Sequence, residues 1–158
     1  MLNGGGEATP HHSFFVHGVP EQQGSSRAFV VNGRAHITTT NKNLHTWRRL
    51  VADVAQEHAE LHTQGIKLRL TFVMPKPKSA PKKVITMTKR PDLDKLIRSV
   101  LDALTGVFYK DDSQVCHVDA MKLYEVGDRI GVLVEIWAEP EPVKRKSRAE
   151  SVPSNEYF

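Results

Sequence analysis

The chain has 158 residues, 39% of them apolar and 25% charged, with a mean hydropathy of −0.40, values that fit one soluble domain with short tails. No apolar run approaches a membrane span and the opening MLNGGGEATPHH lacks the apolar core of a signal peptide, so the expectation is a cytoplasmic protein with no membrane partner. Cys116 is the single cysteine and the formal charge is only +4, which excludes disulfides and paired-thiolate zinc sites, leaves oxygen or imidazole for any metal, and by itself names no partner.

Residues 1–12 are Gly-rich without apolar periodicity, and 139–158 mix Pro, Ser and alternating charge. Both read as disordered tails around a single folded domain, 13–138. Residues 13–19 and 27–40 read as strands, the second folded into a hairpin by Asn32-Gly33, a dipeptide that accepts the positive φ angles of a tight turn. Leu44, Trp47, Leu50, Val51, Val54, Ala55, His58 and Leu61 recur at three and four, which predicts an amphipathic helix capped by Asn43.

Ile66, Leu68, Leu70, Phe72 and Met74 alternate with Lys67, Arg69, Thr71 and Val73, a half-buried strand with a partly basic second face. A Pro/Lys loop, 75–83, follows. Leu93, Leu96, Ile97, Val100, Leu101 and Leu104 give a second amphipathic helix, stopped by Gly106. Residues 115–124 and 130–138 read as a hairpin around Gly127-Asp128. The order predicts an α+β single domain, a mixed β-sheet with two main amphipathic helices.

The distribution of charge is more informative than its sum. Between Leu61 and Arg90 there is no acid, while Lys67, Arg69, Lys76, Lys78, Lys82, Lys83, Lys89 and Arg90 supply eight cations. From Pro91 to Asp112 the sign reverses, with Asp92, Asp94, Asp102, Asp111 and Asp112. A solvated loop followed by helix-end aspartates accounts for each half separately. Coupled, they describe a phosphate-binding surface beside carboxylates that would repel a polyanion unless a cation reverses their sign, which points to metal-dependent phosphodiester chemistry.

Residues two apart on a continuous helix diverge by about 200°. Asp92 and Asp94 therefore flank one helix start only if the helix begins between them, with Pro91 biasing Arg90 to extended geometry and Asp92 as N-cap. Asp111 and Asp112 follow the helix stop. To reach the same N-terminus, residues 107–110 must travel back about 15 Å at about 3.3 Å per residue. Convergence would give an all-oxygen site suited to Mg²⁺ or Mn²⁺. Capping by Asp92 and Asp111, with Asp94 complementing the helix dipole, is the competing explanation, and the residues alone leave both open.

The run from Lys89-Arg90-Pro91-Asp92-Leu93-Asp94 through Arg98 to Asp102-Ala103-Leu104, followed by Asp111-Asp112-Ser113-Gln114-Val115, resembles the RusA family of Holliday junction resolvases. The family signature is P-D-x-D-N-x-x-K, then D-A-L, then D-D-S-Q-[IV]. A weaker likeness to its G-x-P-x-x-Q-G-x-x-R opening lies at residues 16–27, and another at Lys122-Leu123-Tyr124. The resemblance implies a homodimeric, Mg²⁺-dependent endonuclease that binds four-way junctions and cuts two opposed strands symmetrically. It places the metal-binding carboxylates on Asp92, Asp94 and Asp112, with Asp111 as a neighbour.

Two positions depart from that pattern: Lys95 stands where Asn is common, and Arg98 where the family has a catalytic Lys. Arg98 keeps a permanent charge and can bind phosphate bidentately, but cannot exchange a proton near neutral pH. The expected DNA contacts are Lys76, Lys78, Lys82, Lys83, Lys89 and Arg90, with Arg27 and Lys122 secondary. A branched-DNA-binding module with little or no cleavage is the alternative function; a small-molecule phosphohydrolase would not need the basic stretch. His58 and His62 have chelating i, i+4 spacing, but HAELH is not H-E-x-x-H and shows no third ligand, so the reading is a partly exposed helix face. Residues 18–24 lack a P-loop ending, and Cys116 reads as an inert strand residue.

Overall fold

In the computed structural model, residues 7–24, 26–39, 41–127 and 129–140 are described. Six strands and two helices follow in the order β1 (His12–His17), β2 (Ser26–Val31), β3 (Arg34–Thr39), α1 (Leu44–Gln56), β4 (Ile66–Met74), α2 (Leu93–Leu104), β5 (Val115–Tyr124) and β6 (Gly131–Ala138). A single 3₁₀ turn, Asp112–Gln114, precedes β5. The expected α+β architecture is present: a mixed four-stranded sheet in the order β1-β6-β4-β5, with β2 and β3 pairing separately.

The sheet is organised by its most apolar strand. Ile66, Leu68, Leu70, Phe72 and Met74 of β4 are all buried, and the alternation sends them to one face. β4 pairs in parallel with β5 and antiparallel with β6. The expected hairpin of 115–124 with 130–138 is therefore corrected, because β4 lies between β5 and β6. Burial explains the choice. β5 exposes Cys116, His117, Asp119 and Met121 and tolerates an edge, whereas β6 buries Val132, Val134, Ile136 and Trp137 and takes an interior place. At Gly131 (φ 152°) a Cβ would stand 1.9 Å from the Val16 carbonyl oxygen, so only glycine lets β6 approach β1 there.

The β2–β3 hairpin turns at Asn32 (φ 51°) and Gly33 (φ 74°), the anticipated geometry. α1 buries Leu44, Trp47, Val51 and Ala55; α2 buries Leu96, Val100, Ala103 and Leu104. The two helices pack on one another, α1 next to β1 and α2 next to β5, and their apolar faces join the sheet in one core. Each fully buried Leu or Val contributes roughly 1.5–3 kcal/mol to that packing.

Three expectations shift. α1 ends at Gln56, so His58 and Leu61 lie beyond it; the chain is drawn aside where the His62 amide donates to the Phe108 carbonyl at 2.9 Å. Asn43 makes no side-chain cap, and instead its amide donates to Asn41 Oδ1 at 3.1 Å. Ordered packing also begins before residue 13: Glu7 pairs with Lys67 and Arg69, and Trp137 Nε1 donates to the Ala8 carbonyl at 2.6 Å. The remainder of the expected tails, 1–6 and 141–158, lies outside the described residues. No described helix is long and apolar enough to cross a membrane.

Candidate active site

The start of α2 is held from three sides. Lys122, on β5, donates its ammonium to the carbonyls of Lys89 at 2.7 Å and Pro91 at 2.6 Å. The Asp92 amide donates to Gln22 Oε1 at 3.0 Å, and the Gln23 amide donates to the Lys95 carbonyl at 3.0 Å. Asn41 completes the clamp by donating to the Gln22 carbonyl at 2.9 Å. Asp92 sits in extended geometry (φ −74°, ψ 136°) as the N-cap residue, yet its carboxylate makes no cap hydrogen bond. It faces Lys95 instead, at 3.3 Å. Asp94 is exposed in the first turn, and Arg98, exposed, follows it one turn later on the same side of the helix. A cleft of about 780 Å³ borders this end, lined in part by Glu21, Gln22, Asn41, Arg90 and Lys95.

The end of α2 is built differently. Gly106 takes a φ of 85° and donates its amide to the Tyr109 carbonyl at 2.7 Å, while Tyr109 Oη donates to the Leu101 carbonyl at 2.7 Å. Asp111 then caps the 3₁₀ turn in a full capping box: its carboxylate accepts from the Ser113 amide at 2.9 Å, and Gln114 Oε1 accepts from the Asp111 amide. The Ser113 contacts hold the Asp111 carboxyl below the usual range. Gln114 Nε2 reaches the His62 carbonyl at 2.8 Å and the Gln64 carbonyl at 3.2 Å. Asp112 is exposed beside Tyr109, whose hydroxyl is raised by burial and further by the Asp112 charge.

The convergence of Asp112 on Asp92 and Asp94 is not made within one chain. Residues 105–109 close on themselves through their own backbone, so no return leg runs along the helix. Val115 enters β5 opposite Ile66, the first residue of β4, whereas Lys122, which grips the start of α2, lies opposite Phe72 near the other end of β4. α2 itself is about 17 Å long at 1.5 Å per residue, with Asp92 and Asp94 at its start and Asp112 in the turn that follows its end. Among the described residues, the group of three ligand-type side chains close enough to share an ion is His12, Glu60 and His62, not the aspartates.

The basic candidates divide as well. Lys78, Lys82, Lys83, Lys89 and Arg90 are exposed. Lys76 is turned inward, donating to the carbonyls of Lys82 at 2.9 Å and Val84 at 2.8 Å, and so shapes the loop. Lys122 likewise donates to backbone, at the carbonyls of Lys89 and Pro91 before α2. Arg27 lies on β2 opposite Thr38, and its side chain is outside the described ones. Asp102 is structural, because Arg48 donates to both Asp102 and Gln23 and thereby joins α1, α2 and the Gln22–Gln23 loop. Sequence reasoning missed Gln22, Asn41 and the support given by Gln114. Their one local signal was an amide-rich loop before a Gly-Ser turn, and its partner lay about 70 residues away.

The family described as Endodeoxyribonuclease RusA matches residues 19–136. A Bacillus subtilis (strain 168) relative named "Uncharacterized protein YqaN" is 32% identical over 133 residues, covering 77% of this chain and 93% of the relative. The match spans the Gln22–Gln23 loop, both ends of α2 and the Lys122 clamp. The chain belongs to the RusA endodeoxyribonuclease family.

Proposed function

We propose that this protein is a Mg²⁺-dependent endodeoxyribonuclease that resolves four-way DNA junctions as a homodimer, cutting two opposed strands symmetrically. The observation that carries the reading is the state of Asp92: an N-cap aspartate whose carboxylate makes no hydrogen bond to the backbone of its own helix while its own backbone is clamped by Gln22 and Lys122. An oxygen donor held on a rigid helix start, next to exposed Asp94, suits a hard divalent cation. Because Asp112 does not join Asp92 and Asp94 within one chain, the third carboxylate is assigned to the second copy in the dimer. A two-fold dimer then carries two equivalent sites, each with Asp92 and Asp94 from one protomer and Asp112 from its partner, to match two equivalent strands.

Mg²⁺, or Mn²⁺ in its place, supplies a lowered water pKa and neutralises developing charge when bound. This chain's own side chains do the remaining work. Arg98 stabilises charge on the phosphate without exchanging a proton. Lys78, Lys82, Lys83, Lys89 and Arg90 track the backbone, so affinity falls with salt.

A second reading, a junction-binding module with little cleavage, is favoured by one contact: the Lys95 ammonium already neutralises Asp92 at 3.3 Å. Cleavage of a synthetic four-way junction separates them. Wild type should cut with added Mg²⁺, and Asp94→Asn should bind but cut on the order of 10³-fold more slowly. Mixing Asp94→Asn with Asp112→Asn should restore about a quarter of the wild-type sites, since half of the dimers then carry one intact site. Binding without Mg²⁺-dependent cutting favours the module, and failure of the mixture to recover activity overturns the shared site.

A further inference from the structure

Next to the segment that supports the Asp112 turn lies a cluster that the nuclease reading does not use. His12 Nε2 and His62 Nε2 are 3.1 Å apart, Glu60 Oε2 is 3.2 Å from His12 Nε2, and Glu60 Oε2 is 3.9 Å from His62 Nε2. A triangle with these edges contains a point about 2.0 Å from all three corners, which is the bond length of Zn²⁺ to imidazole nitrogen and carboxylate oxygen. Protons serve the same triangle poorly. His12 Nε2 has at most one hydrogen, yet two polar atoms stand within 3.2 Å of it. The two imidazoles are largely buried, 13% and 9% exposed, while Glu60 is 62% exposed and opens the site to solvent.

We propose that His12, Glu60 and His62 form a transition-metal site of the zinc class, with two imidazoles and one carboxylate leaving a fourth position to water. The donor set is softer than the aspartates at α2 and selects a borderline ion over Mg²⁺. Two separate stretches meet there. His12 opens β1, paired with Ile136, and Glu60 and His62 follow α1. His62 is in turn bound through its amide to Phe108 and through its carbonyl to Gln114, the residue that completes the cap of the Asp112 turn. The ion thus clips the first strand to the segment supporting Asp112, and its binding energy adds to folding energy. The site is independent of the nuclease reading, which uses other residues and another ion.

Zn²⁺ titration of the metal-stripped full chain, followed by calorimetry and thermal melting, tests it. Wild type should take up one Zn²⁺ per chain and gain roughly 10 °C in Tm at a hundredfold excess over Kd. Co²⁺ in its place should give the visible absorption of a four-coordinate N/O site. Glu60→Gln, at an exposed position with little risk to folding, should weaken Zn²⁺ binding at least 10-fold, and the double change His12→Asn with His62→Asn should abolish it. Asp94→Asn should bind Zn²⁺ as wild type does. Wild-type affinity in Glu60→Gln and the double variant, loss of binding in Asp94→Asn, or no uptake by wild type would each overturn the site.

Discussion

Two aspartates stand at N-cap positions, Asp92 before α2 and Asp111 before the 3₁₀ turn that follows it, and they are used in opposite ways. Asp111 gives its carboxylate to the Ser113 amide within a reciprocal capping box. Asp92 leaves its own helix start uncapped, and the helix is steadied instead by the Lys122 ammonium and the Gln22 side chain. A carboxylate spent on backbone is structural. One withheld, while distant residues take over its local duty, is available for a ligand, and the fold absorbs the cost of an uncapped helix through contacts drawn from β5 and the loop before β2.

The largest expected effect that would break this contrast is on chemistry. Asp92→Asn removes an anionic ligand without removing a cap, so junction cleavage should fall by on the order of 10³-fold while Tm stays within about 2 °C of wild type. A large Tm loss with cleavage intact would show that Asp92 is a cap after all. Next comes the clamp. Lys122→Met leaves the Lys89 and Pro91 carbonyls without their donor, and should cost about 1–3 kcal/mol in urea unfolding and about 10-fold in cleavage rate through a loosened Asp92. Gln114→Ala, at the other end, should cost a similar 1–3 kcal/mol, with cleavage falling only as far as Asp112 is displaced.

Smaller effects sharpen the electrostatics. Replacing Lys95 by Asn removes the cation facing Asp92 and should lower the Mg²⁺ concentration for half-maximal cleavage about 2–5-fold, read from Mg²⁺ titrations at fixed junction. The smallest is a pH effect at Asp111. Its folded carboxyl lies below the ordinary 3.8, so its cap supports the fold above that value and is lost as pH falls through the lowered one. Asp111→Asn, which keeps an acceptor for Ser113 but not the charge, should flatten acid unfolding in that window and lower neutral stability slightly.

Periodic elements were legible along the chain. β4 matches its alternation from Ile66 to Met74, and α2 matches its apolar spacing from Leu93 to Leu104, because each pattern is local and its period reports which face is buried. The Asp92–Asp94 geometry was legible too, since Pro91 and the first apolar residue place the helix start between them. What failed was non-local. The 115–124 and 130–138 strands look like a hairpin in sequence, and nothing nearby reveals that β4 will insert between them. Lys76 and Lys122 look like solvated cations until the carbonyls they bind are known.

By itself, then, the sequence determined the elements, the sign reversal at Arg90-Pro91 and the family motifs, all of which depend on residues within a few turns of one another. Tertiary structure alone decided which aspartate is a cap and which is withheld, that Asp112 does not join Asp92 and Asp94 within one chain, and that His12 meets Glu60 and His62. Those outcomes depend on which strand takes the centre of the sheet and where a turn closes, and the hydrogen bonds that settle them join residues 31 to 70 positions apart.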